Sequence, residues 1–317
     1  MHDPSATVAA VDHRRIGTFR CAQRHLVVGE SLLIFALPVR AVESRSMIPQ
    51  PVNDPADPRL HDYLGLTDPA RRRARETGSG VFLAEGRLVV ERLLSSGLTV
   101  RSVLVTEDRL AALAPSLSGL GRDVPVLTVG RDLARQVTGY DVHRGILAAA
   151  ERPDPMGLDS LLDGATTLVA LEDLTDQEKI GSVFRSAAGL GADGVLLSPG
   201  CGDPLYRRAV RVSMGAVLTM PFCRVGPWPQ GLERLEKAGF AVVGMTPDPA
   251  AEKLEDLAEA CPRRVALILG SEGPGLSDAT LAACSRRVRI DMAPGADSLN
   301  VATAAAIALY ALRRRRV

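Results

Sequence analysis

A glycine-rich segment in the second half of the chain has the composition of a ligand-binding turn. It reads Gly270-Ser-Glu-Gly-Pro-Gly275 and directly follows the apolar run Val265–Leu269, which predicts a buried strand. Three glycines around one acidic side chain favour a tight turn in which the backbone approaches a ligand closely. The segment has no lysine, which excludes a Walker A phosphate loop. Alternatively, it is an ordinary surface turn with an exposed glutamate.

A candidate anion-binding helix precedes this turn. Apolar residues at helical spacing define one buried face, made of Ile180, Val183, Phe184 and Ala187. The opposite, polar side carries Lys179, Ser182, Arg185 and Ser186. An arginine in such a position is either a solvated surface charge or a phosphate ligand, because its planar guanidinium suits phosphate oxygens.

A second glycine pattern, Gly189-Leu-Gly-Ala-Asp-Gly194, matches G-x-G-x-x-G but has the wrong surroundings. A dinucleotide fingerprint follows a strand and opens a helix, so that the pyrophosphate meets the helix N-terminus. Here the predicted helix 180–188 comes before the pattern, and the predicted strand 195–198 comes after it. We therefore exclude a Rossmann dinucleotide site.

Three segments together resemble the three motifs of the SpoU (TrmH-like) RNA 2′-O-ribose methyltransferases, of the SPOUT class. The first, 171–188, contains Arg185, the second is the glycine-rich turn, and the third is 290–304. Their order and spacing over residues 163–317 match the family. The first half of the chain also resembles the auxiliary RNA-binding domain of that family, including the run His143-Arg-Gly-Ile-Leu-Ala at its end.

The resemblance implies a parallel sheet whose C-terminal part forms a trefoil knot, a rare exception to the rule that chains avoid knots. It also implies S-adenosylmethionine as the cofactor, bound mostly through main-chain groups of the knot loops, and no metal ion. The reaction would methylate a ribose 2′-hydroxyl of ribosomal or transfer RNA. The residues expected at the cofactor are Leu269, Gly270, Ile290, Met292 and Leu299.

The same resemblance implies four catalytic residues, which are Arg185, Glu272, Ser298 and Asn300. Arg185 matches the arginine that activates the hydroxyl in the family. Because a guanidinium keeps its proton in proteins, we assign Arg185 to the neighbouring phosphate, which relays the proton. Glu272 and Asn300 are expected to hold the arginine and the ribose, with Ser298 hydrogen-bonded nearby.

Lys179 departs from the family, which has an asparagine six residues before the catalytic arginine. An ammonium cannot accept a hydrogen bond as an amide can, although it can contact a phosphate. Lys179 and Arg185 are both cations on one side of a helix, which favours an anion beside them. We therefore predict an RNA-phosphate contact for Lys179. The alternative is an RNA-binding scaffold of the same fold that has lost turnover.

Two further helices suggest contacts with partners. A helix that starts at Asp203-Pro204 presents Arg207, Arg208 and Arg211 on one face, where they either bind RNA phosphates, as we predict, or form a solvated face. A helix over 298–312 carries many small residues. Such a surface permits the close packing of the homodimer that the family implies, although an ordinary buried helix has the same pattern.

Composition places the chain among globular proteins of about two domains. Its 317 residues are 46% hydrophobic and 24% charged, and a net charge of +1 gives no overall basic field. Only three of the 38 basic side chains are lysines, an excess of arginine that either serves phosphate contacts or reflects genomic base composition. Five cysteines without a C-x-x-C pair favour a reducing compartment, and we predict the cytoplasm.

The pattern divides the chain into three parts. Residues 1–46 are a secretory signal, an amphipathic appendage or an over-extended start before an internal methionine, and the break in composition favours the last. Residues 47–155 form a small α/β RNA-binding domain, with a helix predicted over 82–94. Residues 156–317 form the methyltransferase domain. The terminal run Arg313-Arg-Arg-Arg316 is a solvated helix end or an RNA-facing tail.

Short apolar runs between helical patterns predict an α/β fold with a parallel sheet that is covered on both faces. No apolar run reaches the roughly 18 residues that span a bilayer. Strands of the first half are predicted at 100–105, 124–129 and 145–150. Strands of the second half are predicted at 168–171, 195–198, 218–222, 241–245, 265–269 and 288–290.

Overall fold

In a computed structural model of the chain, the described residues are 48–68, 80–121, 123–142, 145–260 and 262–313. All of them belong to one compact unit, Ser44–Val317. The predicted extension 1–46, the pair His143-Arg144 and the terminal arginines after 313 lie outside the described residues.

The first half of the described chain forms a mixed five-stranded sheet in the order β1-β4-β3-β5-β2. Strand β4 is parallel to β1 and β3, whereas β5 is antiparallel to β3 and β2. The strands are β1 Gln50–Pro51, β2 Val81–Glu85, β3 Val100–Thr106, β4 Val126–Val129 and β5 Ile146–Glu151. The helices are α1 Arg87–Ser95, α2 Glu107–Leu117 and α3 Arg131–Thr138.

The second half forms a seven-stranded sheet in the order β10-β12-β9-β11-β6-β7-β8, and every pairing in it is parallel. This confirms the predicted α/β fold with a parallel sheet. The strands are β6 Thr167–Leu171, β7 Gly194–Leu197, β8 Phe222–Arg224, β9 Ala241–Met245, β10 Glu252–Lys253, β11 Val265–Leu269 and β12 Arg286–Arg289. The helices are α4 Leu158–Leu162, α5 Gln177–Leu190, α6 Arg207–Val212, α7 Glu233–Lys237, α8 Leu254–Ala260, α9 Asp278–Ala283 and α10 Val301–Arg313.

Strands β2, β6 and β11 are buried along their whole length. Because successive side chains of a strand point to opposite sides, both faces of each sheet are covered at these strands. Val169 of β6 and Phe82 of β2 lie in one continuous hydrophobic core, which the two sheets therefore share. Leu168 of β6 joins a second core on the outer face of its sheet, and Leu83 of β2 joins a third. No helix among the described residues is long and apolar enough to cross a membrane.

The helix predicted over 82–94 is wrong in its first part. Residues Val81–Glu85 form strand β2, and all five side chains are buried. Gly86 follows with a φ of 92°, a conformation that favours glycine, and α1 begins at Arg87. The apolar positions of the strand continue the helical spacing of α1, and for that reason the periodicity extended the helix too far.

Two other boundaries differ from the prediction, one because of a proline and one because of a turn. The strand predicted at 218–222 is a short 3-10 helix over Ala216–Leu218, and β8 begins only at Phe222. Pro221 lies between them and has no N–H to donate to a strand ladder. The helix predicted from Asp203-Pro204 begins at Arg207, because Asp203 instead closes a turn by accepting from the Leu205 N–H.

Two boundaries near the C-terminus also move. The strand predicted at 288–290 is Arg286–Arg289, and the helix predicted over 298–312 is Val301–Arg313. Asn300 caps that helix, since its Oδ1 accepts from the N–H of Ala302 at 2.9 Å. Asn300 is thereby held at the start of α10.

Helices α5 and α6 pack with their backbones in close contact. A Cβ added at Gly181 of α5 would lie 2.6 Å from the carbonyl oxygen of Ala209 in α6. Gly189, on the exposed side of the same helix, has nothing within 4 Å of its added Cβ. The two glycines of α5 therefore differ in function: only Gly181 is required for packing.

Substitution of these glycines by alanine should have opposite effects on stability. We expect Gly181→Ala to lower the free energy of unfolding by about 1–3 kcal/mol, because the added methyl group meets backbone that cannot yield. We expect Gly189→Ala to raise it by about 0.5–1 kcal/mol through helix propensity. Denaturant unfolding of both variants measures this, and equal shifts in the same direction would contradict the packing role of Gly181.

Candidate active site

The carboxyl ends of β9 and β11 border a cleft of about 440 Å³. Eight of the nine residues predicted for cofactor binding and catalysis line this cleft, namely Leu269, Gly270, Glu272, Ile290, Met292, Ser298, Leu299 and Asn300. They come from two separate segments, the glycine-rich turn with the residue before it and the segment 290–304. The structure thus brings together residues of the second and third motifs that were related only by motif order.

Sequence reasoning missed one wall of the cleft. The segment Met245-Thr246-Pro247, at the end of β9, lines it together with Val301 and Ala304 of α10. The strand itself was predicted at 241–245, and ligands of parallel sheets bind beyond the carboxyl ends of strands. Applied to β9, this rule would have predicted the segment Met245-Thr246-Pro247 as part of the cleft.

A buried carboxylate holds the loops around the cleft in place. Glu172 directly follows β6, and it is only 5% exposed. Its Oε1 accepts hydrogen bonds from the Trp228 indole at 2.9 Å and from the hydroxyls of Ser277 and Thr280 at 2.7 and 2.6 Å. Its Oε2 accepts from the Ser277 N–H at 2.9 Å. Four donors from distant parts of the chain therefore meet at one side chain, which no local pattern indicated.

The glycine-rich turn is tight because it contacts itself. A Cβ added at Gly270 would lie 2.2–2.4 Å from backbone atoms of Gly275 and Leu276. The Gly275 N–H closes the turn by donating to the Ser271 carbonyl at 3.1 Å. The sequence analysis attributed this glycine to a close approach of ligand. In the structure, the approach that requires Gly270 is that of the chain's own backbone.

One carboxylate connects all three sequence motifs. Glu272 of the turn forms an ion pair with Lys179 of α5, and its Oε1 accepts from the Asn300 amide at 3.2 Å. Lys179 is 26% and Glu272 43% exposed. The sequence analysis expected Glu272 to hold Arg185, but the structure places Lys179 in that position. The charge of Lys179 is thus balanced within the protein.

Arg185 lies on the exposed side of α5 and does not line the cleft. Among the described residues its side chain makes no hydrogen bond or ion pair. Lys179, on the same helix, is paired with Glu272, so Arg185 is the cation of the predicted site whose charge no described residue balances. The helix is fixed at its start by Asp176, whose side chain accepts from the N–H groups of Glu178 and Lys179.

The three arginines of α6 face two different neighbours. Arg208 forms an ion pair with Glu178 of α5 at 2.8 Å, and both side chains are more than half exposed. Arg207 and Arg211 instead face Glu85 at the end of β2, at 2.6 and 3.7 Å. Arg207 is only 20% exposed, whereas Arg211 is 47% exposed.

Cys223 and Cys284 have the properties of packing residues. Burial raises the pKa of the Cys223 thiol to about 11 and that of Cys284 to about 12, so both are neutral near pH 7. Within the described part of the chain, no cluster of three or more His, Cys, Asp or Glu side chains could hold a metal ion. The polar side chains that line the cleft are those of Thr246, Ser271, Glu272, Ser298 and Asn300.

Comparisons with known proteins point to one family. The family model described as SpoU rRNA Methylase matches residues 166–310. An uncharacterized tRNA/rRNA methyltransferase from Mycobacterium bovis is 46% identical over 262 residues, which cover 82% of this chain and 90% of that protein. The 23S rRNA (guanosine-2′-O-)-methyltransferase RlmB from a Burkholderia species is 31% identical over 235 residues, covering 72% of this chain and 94% of that protein.

Solved structures show the same relationship. An AdoMet-bound rRNA methyltransferase from Sinorhizobium meliloti superposes with a TM-score of 0.68 and 26% identity, over 84% of this chain and 98% of that one. The SpoU methyltransferase AviRb from Streptomyces viridochromogenes, in complex with the cofactor AdoMet, gives a TM-score of 0.68 and 26% identity, over 81% of this chain and 97% of that one.

The self-contact of the turn predicts that even the smallest side chain at Gly270 is harmful. We expect Gly270→Ala to weaken binding of S-adenosylmethionine at least about tenfold, because the turn must open to accommodate the methyl group. Gly189→Ala is the control: Gly189 lies on the exposed side of α5, does not line the cleft, and its added Cβ meets nothing within 4 Å. Calorimetric titration measures both affinities. Cofactor affinity in Gly270→Ala equal to that of the control would show that the self-contact is dispensable.

Proposed function

Because this chain belongs to the SpoU family of RNA methyltransferases, we propose that it transfers a methyl group from S-adenosylmethionine to a ribose 2′-hydroxyl of a structured RNA. The observation that carries the proposal is that motifs two and three line one cleft, and that Glu272 of motif two contacts both Lys179 of motif one and Asn300 of motif three. The similarity to RlmB makes 23S ribosomal RNA the first substrate to test, ahead of transfer RNA.

The cleft fits the proposed cofactor in size and in lining. Its volume lies within the roughly 300–1,000 Å³ of small-ligand pockets. Apolar side chains of Leu269, Ile290, Met292 and Leu299 would contact the ligand, while main-chain groups of Gly270 would bind its polar edge. When bound, the cofactor supplies a methyl group on a positively charged sulfur. The trefoil knot of these loops is part of the proposal, and the strand order, which places β12 beyond β9, supports it.

Arg185 is proposed to bind the phosphate beside the reactive ribose. Its exposed guanidinium stays protonated, so it stabilises anionic oxygen rather than removing a proton itself. The 2′-hydroxyl proton would pass to that phosphate, and the methyl group would take its place on the oxygen with loss of its bond to sulfur, which leaves an uncharged thioether. Glu272, Asn300 and Ser298 border the cleft, and they are proposed to orient the ribose. The ion pair with Lys179 and the hydrogen bond from Asn300 hold the Glu272 carboxylate in place before RNA binds.

We propose two binding partners, RNA and a second copy of the chain. Residues 47–155 are proposed to bind RNA, together with Arg208 and Arg211 of α6.

A homodimer is proposed through α10, on which Ile307 and Tyr310 are 38% and 52% exposed. The thiols of Cys201, Cys223 and Cys284 are unpaired, which supports the cytoplasm as the place of action.

A second candidate function is an RNA-binding scaffold that no longer transfers methyl groups. The observation in its favour is Lys179, which occupies the position of the family's asparagine and binds the motif-two carboxylate.

Methyl transfer to RNA tests the proposed function directly. We expect wild-type protein to incorporate labelled methyl groups into unmodified 23S ribosomal RNA, at a ribose that nucleotide mapping identifies. We expect Arg185→Ala to reduce this rate at least about a hundredfold with unchanged cofactor affinity, as for loss of an electrostatic stabiliser. Arg234→Ala, on α7, is the control with unchanged rate. Absence of transfer by wild type to both ribosomal and transfer RNA would favour the scaffold.

The salt dependence of RNA binding tests the role of Lys179. An ammonium has three N–H donors, so Lys179 can hold Glu272 and a phosphate at once. We expect Lys179→Asn to remain active and to reduce the slope of log affinity against log salt by about 0.7–0.9. Lys237→Asn, an exposed lysine of α7, is the control with an unchanged slope. Identical slopes in wild type and Lys179→Asn, with both active, would exclude a phosphate contact.

A further inference from the structure

Helix α6 lies between the five-stranded sheet and the helix that carries Arg185. On one side its Ala209 backbone contacts Gly181 of α5. On the other side it faces β2, whose last residue, Glu85, is only 4% exposed. A displacement of the five-stranded sheet would therefore be transmitted to α5 through α6.

Arg207 is enclosed by residues of the first half of the chain. Its Nη1 donates to Oε2 of Glu85 at 2.6 Å and to the hydroxyl of Tyr140, and its guanidinium lies over the Tyr140 ring, 4.6 Å from the centroid. Burial raises the pKa of Tyr140 above its usual value, so the hydroxyl stays neutral. An ion pair, a hydrogen bond and a cation–π contact thus act on one side chain.

Two further contacts lie at the same interface, between the segment of α6 and the first half of the chain. Arg152, which follows β5, forms an ion pair with Asp203, in the turn before α6. Arg92 of α1 donates to the carbonyl oxygen of Met214, just after α6, at 2.6 Å. The segment that contains α6 is therefore attached to the first half of the chain before, within and after the helix.

We infer that Arg207 is a positioning residue: bound by Glu85 and Tyr140, it fixes the five-stranded sheet against α6 and so against α5. This inference rests on the proposed function and changes the predicted role of Arg207, which binds protein rather than RNA phosphate. A phosphate bound to Arg207 would have to compete with Glu85, and loss of that contact would leave a buried carboxylate poorly paired. Arg208 and Arg211 remain the exposed arginines of α6.

Substitution of Glu85, made in an Arg211→Ala background because Glu85 also faces Arg211 at 3.7 Å, distinguishes the two roles of Arg207 by the sign of the effect. If Arg207 positions the sheet, Glu85→Gln loosens the interface, and kcat/KM for structured RNA falls about tenfold, as for loss of a charged hydrogen bond. If Arg207 binds phosphate, the same change removes a competing negative charge, and RNA binds more tightly. Glu178→Gln is the matched control, because it releases the exposed Arg208 by the same loss of charge on the opposite side of α6.

Hydrogen exchange, measured without RNA or cofactor, separates this inference from the proposed function. We expect faster exchange in β2 and α6 of Glu85→Gln, unchanged exchange there in Glu178→Gln, and unchanged cofactor affinity in both. Tyr140→Phe, which removes only the hydroxyl, is a milder second variant with the same expected direction in case Glu85→Gln does not fold.

Unchanged exchange in the variants, or tighter RNA binding by Glu85→Gln, would overturn the positioning role. Failure of wild type to methylate RNA would reject the proposed function, while the exchange data would still test the contact.

Discussion

The buried carboxylate of Glu172 is the interaction on which the candidate site depends. Its four hydrogen bonds join the end of β6 to Trp228 and to the start of α9, which follows the glycine-rich turn. A buried carboxylate needs several donors, because removal of its charge from water is otherwise too costly. These loops can therefore not separate without leaving a charge unpaired. The position of the glycine-rich turn, which lines the cleft, is thereby tied to the end of β6.

The strands that end at the cleft are the part of the site that sequence analysis describes well. Strands β6 and β11 are continuous apolar runs, and their last residues, Leu171 and Leu269, are partners in the parallel register. That pairing brings Glu172 and Gly270, the next residue in each segment, to the same edge of the sheet. Apolar runs were sufficient to predict these two strands, because strand burial is a local property of the sequence, but they did not predict that Glu172 would lie beside Gly270.

Contacts between distant segments could not be predicted in the same way. The ion pair of Lys179 with Glu272 joins residues 93 positions apart, and the bond of Glu172 with Thr280 joins residues 108 apart. Neither has a local signature, since a lysine on a polar helix face is ordinarily solvated. The enclosure of Arg207 was missed for the same reason. Periodicity identifies which face of a helix is polar, but it does not indicate which polar residues will meet another segment.

The self-contact of the glycine-rich turn has a consequence for how this cleft can change during evolution. Where two stretches of backbone touch, no side chain exists that substitution could enlarge, reduce or recharge. The part of the cleft formed by Gly270 and Gly275 is therefore nearly fixed. Selection for a different ligand would have to act on the segment after β9, where Met245 and Thr246 carry side chains that can be replaced. Divergence in ligand preference among related chains should accordingly concentrate at the end of β9.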